Sequence, residues 1–110
     1  EGHEDLRKIA AEHKERWVRC LFHSLIARAE HGTDWDLELA GREEQSLGSS
    51  VQEEQARLEY LQSLAKREQF EKARARVTKL RGHRFQVRAY LAIHRAGIEA
   101  WKVNTAVASR

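Results

Sequence analysis

Cys20 and His23 stand three residues apart, the closest this sequence comes to a reactive pair. At that spacing two side chains meet on one face of a helix, where a thiolate and an imidazole could share a metal ion or activate one another. Two ligands do not complete a metal site, and Cys20 falls on an apolar stripe, where an unpaired cysteine behaves as a small hydrophobe. The six histidines, His3, His13, His23, His31, His83 and His94, show no ligand spacing. His94 falls on an apolar row, which predicts a hydrogen-bonded interior imidazole. No Gly-rich phosphate loop, G-x-S-x-G or H-E-x-x-H motif is present. The expectation is a protein that is not an enzyme and uses no metal or cofactor.

Charge offers a second kind of chemistry. Lys72, Arg74, Arg76, Lys79, Arg81, Arg84 and Arg88 follow one another with no acid between them. Such a run predicts an electrostatic docking surface for an acidic protein partner, or for self-association with the acidic stretch 30–44. In that stretch six acids, Glu30, Asp34, Asp36, Glu38, Glu43 and Glu44, face Arg42 alone. Nucleic acid is a weaker expectation, because only Phe70 and Phe85 flank the run as stacking aromatics and no groove-reading motif is present. Trp17, Leu21 and Ile26 stand at 1-5-10 spacing among Lys14, Arg16, Arg19 and Arg28. That pattern is similar to the hydrophobic anchors of helices bound by calmodulin or centrin, the alternative functional reading.

The elements that position these residues are helices. The chain of 110 residues has no proline and only six glycines, while 34% of it is charged. A single domain over 1–110 is expected, all-α, most simply an antiparallel three-helix bundle, a helical hairpin with coiled-coil-like packing. Its helices would span about 4–30, 50–81 and 83–108. The connection 31–49 is a polar loop, or carries a short helix over 34–46 opened by a Thr33–Asp36 capping box. Ser49–Gln52 and Ser50–Glu53 are two registers for the box that opens the second long helix. His31-Gly32 stops the first, with Gly32 expected in the left-handed region.

Residues 85–108 are nearly free of charge and apolar around most of their circumference, which predicts the core helix, with Trp101 packed near Trp17 or Leu21. The segment 50–81 reads as solvated on most of its surface, with a stutter at 66–69 between its two apolar seams. Gly82, taken as a helix-closing turn with positive φ, separates the hairpin from its alternative. In that alternative one long helix, 50–108, forms a coiled-coil dimer with helix 4–30 packed on it.

In length, three-helix layout and the tryptophans Trp17 and Trp101, the chain resembles spectrin repeats, in layout only. The connection 33–49 is longer, and the residues around Trp101 do not follow that family's pattern. The function expected is a structural or adaptor module of a larger, for instance cytoskeletal, assembly. A lone cysteine and the absence of a membrane span or signal peptide point to an intracellular, cytoplasmic or cytoskeletal setting.

Overall fold

Two capping boxes written in the sequence set the starts of two helices. In the computed structural model, which describes residues 2–108, Thr33 and Asp36 close a full capping box, Asp36 N–H donating to Thr33 Oγ1 at 3.3 Å and Thr33 N–H to Asp36 Oδ2 at 2.9 Å. Ser50 and Glu53 close the second, so the Ser50 register is the one used. His83 opens the last helix. The described residues form six helices, α1 Gly2–Glu12, α2 Arg16–Arg28, α3 Asp34–Glu44, α4 Val51–Lys66, α5 Phe70–Val77 and α6 His83–Ala108. The all-α class holds, and the connection carries a helix that stops at Glu44.

Two of the expected long helices are broken. The segment 4–30 divides at residues 13–15, where Arg19 donates to the carbonyls of His13 (2.7 Å) and Lys14 (3.1 Å) left open at the end of α1. The segment 50–81 divides at 67–69, where Glu68 takes φ 63°. Arg67 anchors that break, reaching Asp34 (2.6 Å) and the Ala27 carbonyl (3.2 Å). A third change of direction follows at 78–82, where a buried Glu54 carboxylate accepts from the Arg81 N–H at 2.8 Å. A continuous helix over 50–108 therefore does not form.

The core belongs to α4, not to α6. Among the helices α4 alone touches α2, α3, α5 and α6, and it buries Ala56, Leu58, Tyr60, Leu61, Leu64 and Ala65. Each large side chain there contributes roughly 1.5–3 kcal/mol by leaving water. Cys20 and Ser24 on α2 meet Ala56 and Ser63 on α4. These small residues let the helices close until Ser63 Oγ donates to the Ser24 carbonyl at 2.6 Å.

Two glycines are fixed by close approach. A Cβ on Gly32 would lie 2.2 Å from the Ile26 carbonyl oxygen, and one on Gly41 would lie 2.7 Å from Tyr60 Oη. Neither has positive φ, and nor does Gly82, so the left-handed conformations expected at Gly32 and Gly82 are not adopted.

The Cα envelope measures 49 × 39 × 16 Å. Sixteen ångströms accommodates about two helix layers at the usual 8–10 Å separation. In so thin a fold an outer helix has neighbours on one side only. α6 contacts α4 and α5 and buries just Ala89 and Ile93, with Phe85 and Ala96 half-buried beside them. Residues 101–108 are all exposed. α6 is thus a projecting arm rather than the central helix. The expected core positions fail with it: Trp101 is 66% exposed, and His94 is exposed as well.

Candidate docking surface

Cys20 and His23 serve packing. Both are buried, and burial pushes the Cys20 thiol up to about 12, far from thiolate chemistry. Burial also lowers the His23 pKa, outweighing the attraction of Glu43 and Asp36, and its Nδ1 has no hydrogen-bond partner among the described residues. No group of three His, Cys, Asp or Glu side chains among the described residues is placed to hold a metal ion. None of the described helices is long and apolar enough to cross a membrane.

The acidic stretch is largely neutralised from within. Asp34 pairs with Arg67 at 2.6 Å, Asp36 with Arg7 at 2.8 Å, Glu38 with Arg42 at 3.7 Å, and Glu43 with Arg19 at 2.6 Å. Burial opposes ionisation of Asp36. The hydrogen bonds from Arg7 and Thr33 overcome it and hold its carboxyl below the usual carboxylate range. Glu44, 1% exposed, accepts from Arg57 at 2.8 Å and from Arg76 at 2.7 Å. Trp35 stays on the surface with the Arg42 guanidinium 4.8 Å over its ring. The six acids do not make one open acidic face.

The basic run is divided by the same packing. Arg76 is committed to Glu44 and half-buried. Lys72 and Arg74 point from different sides of α5, two residues apart, and Lys79 and Arg81 sit in the turn before α6. Arg84 and Arg88 lie on α6, and the spacing i, i+4, i+11, i+18 adds Arg95 and Lys102 to their row. Arg84, Arg88 and Arg95 take part in no salt bridge among the described residues, and Lys102 has only Glu99 on its own helix at 3.9 Å. Beside this row runs an exposed apolar stripe, Val87 (57%), Leu91, Ile98 and Trp101 (66%), with Tyr90 at its edge. Arg95 and Lys102 were missed as site residues because they read as interruptions of an apolar helix. Their helical phase with Arg84 was the available signal.

Trp17, Leu21 and Ile26 are not brought to one face. Trp17 and Leu21 pack on the core, whereas Ile26 turns toward α1. There it lines a groove of about 300 Å³ with Leu6, Ile9, Phe22, Leu25 and Ala29. Leu6 and Ile9 are each 54% exposed, so the groove is open to solvent. The sequence signal for it was the widening of the apolar stripe at Phe22, Ile26 and Ala29.

Compared with known proteins, the chain matches no family model, and no curated protein or solved structure matches it significantly.

Proposed function

We propose that this domain is a non-catalytic adaptor module of a larger assembly, and that α6 is its docking arm for an acidic, amphipathic helix of a protein partner. One observation carries the reading. Arg84, Arg88 and Arg95, which take part in no salt bridge among the described residues, and the exposed Val87, Leu91, Ile98 and Trp101 lie along the same projecting helix. An apolar stripe bordered by Arg and Lys fits a helix whose own stripe is bordered by Glu and Asp, the apolar contact giving affinity and the charges giving register and encounter rate. The thin core and the inert Cys20–His23 pair support a binding role over a catalytic one.

The test is titration with a synthetic amphipathic helix built of Leu and Glu heptads. Reversing Arg84, Arg88 and Arg95 to Glu should weaken binding by about tenfold or more and flatten its dependence on salt, since exposed charges are screened as the Debye length shrinks from about 10 Å at 0.1 M to about 3 Å at 1 M. All three residues are exposed, so helicity and melting temperature should not change. Unchanged affinity and salt dependence in a folded variant would remove the basic row from the function.

A further inference from the structure

We propose that the groove between α1 and α2 receives the α6 arm of a second copy of this chain, with Trp101 entering it, so that copies join head to tail. This rests on the reading of α6 as a docking arm and names what the arm docks on.

The two surfaces complement each other in shape, polarity and charge. The groove is concave and apolar, with a volume of about 300 Å³ that admits one large aromatic side chain. The arm is convex, and Trp101 is its largest exposed side chain. Around the groove, Asp5 and Glu12 stand one turn on either side of Ile9, and Glu30 stands one turn beyond Ile26. None of these three acids takes part in a salt bridge among the described residues. Lys8, one turn from both Asp5 and Glu12, offsets only part of the acids' charge. The arm offers Arg84, Arg88, Arg95 and Lys102 along the border of its stripe.

The two surfaces cannot meet within one molecule, because α6 contacts α4 and α5 and touches neither α1 nor α2. A side-by-side pairing of two α6 helices is disfavoured by the same charges. Run antiparallel, the pair would set one basic row against the other. Run parallel, it would leave both rows uncompensated. Arm into groove satisfies both surfaces. Each copy then offers one arm and one groove, so the contact is heterologous and continues from copy to copy unless a ring closes. A single helix in a short groove makes an interface at the small end of the specific range, so association is expected to be weak and to depend on concentration.

Sedimentation velocity from about 1 μM to about 1 mM, spanning the affinities of such contacts, reads the proposal directly. The wild-type chain should gain mass with concentration past the dimer. Trp101→Ala removes the knob and Leu25→Glu, at a 40% exposed position, blocks the groove. Each should weaken association about tenfold or more, as loss of a central anchor does. Mixed in equal amounts, the two variants should form a dimer and stop there, since one retains a groove and the other an arm. Ile9→Glu, at a 54% exposed position, repeats the groove test if Leu25→Glu fails to fold. A wild-type chain that stays monomeric throughout overturns the proposal. So does a folded groove variant that associates like wild type, or a mixture that yields no dimer. Binding of the Leu/Glu helix by a chain that stays monomeric would overturn self-docking while leaving the docking arm in place.

Discussion

Glu44→Gln probes one of the most buried carboxylates among the described residues. The carboxylate is 1% exposed and pairs with two guanidiniums, Arg57 on α4 and Arg76 on α5. Arg57, 5% exposed, also donates to the carbonyls of Leu47 (2.9 Å) and Gly48 (3.1 Å) and, across the fold, to that of Lys79 (3.4 Å). One side chain therefore ties the end of α3, the turn into α4 and the turn into α6. Removing one member of a buried pair typically costs about 3–5 kcal/mol, because the remaining charge stays desolvated. Arg76 keeps a quarter of its side chain in water and can turn outward. Gln can still accept one hydrogen bond from Arg57. Both relieve part of the penalty, so we expect about 3 kcal/mol. At roughly 4 °C per kcal/mol for a domain of this size, the melting temperature should fall by about 12 °C. A urea melt followed by far-UV circular dichroism should show a midpoint at least ~1 M lower if the slope lies between about 1 and 3 kcal/mol/M. The double variant Glu44→Leu, Arg57→Met should cost less than the sum of its single changes, since it leaves no lone buried charge. A loss below about 1 kcal/mol for Glu44→Gln would show that the pair is not desolvated in solution, and the account of how the two turns are held would fail.

Two further stability predictions follow from the packing. Gly32→Ala should destabilise by more than about 2 kcal/mol in the same melt, because a Cβ there meets the backbone oxygens of Ile26 and Ala27 at 2.2 and 2.3 Å. A neutral result would mean that the end of α2 is open in solution. His23 gives a pH signature. Its folded pKa lies below the ordinary 6.5, so the unfolded chain takes up the proton more readily. The stability it contributes is present above about pH 6.5 and is lost as the pH falls below that value. Between pH 7 and 5 the wild-type melting temperature should drop, and His23→Gln should drop less. Equal slopes for the two proteins would refute the assignment.

What could be read in the sequence was local. The Thr33–Asp36 and Ser50–Glu53 boxes place α3 and α4, because a cap is complete within four residues. α6 starts directly after Gly82 without a capping box, and the stutter at 66–69 marked the break between α4 and α5. The break at residues 13–15 has no such mark. It carries no Gly or Pro, and its open carbonyls are served by Arg19, which Glu43 holds from α3 at 2.6 Å. An arginine that bridges distant segments looks, in sequence, like any surface arginine. The same limit hid the core. α4 buries Glu54, Arg57 and Ser63 among its leucines, and a hydropathy pattern assigns those polar residues to solvent. Their burial depends on partners 10 to 39 residues away, namely the Leu47 carbonyl for Arg57, the Arg81 N–H for Glu54 and the Ser24 carbonyl for Ser63.

The misplacement of α6 has a different cause, and it bears on function. A helix apolar around most of its circumference needs neighbours on more than one side, and that inference from the sequence is physically sound. In a fold about two helices thick, α4 and α5 supply one side only. What remains is Trp101, Ile98, Leu91 and Val87, bordered by arginines that the internal acids do not reach, because those acids are already held by Arg7, Arg19, Arg57 and Arg67. An apolar surplus alone would be a liability to non-specific aggregation. On the proposed reading, its pairing with Arg84, Arg88 and Arg95 would make it discriminate by sign, admitting an acidic surface and repelling a basic one. On the proposed reading the neighbour that α6 lacks belongs to another molecule, and the charge beside the stripe would select an acidic one.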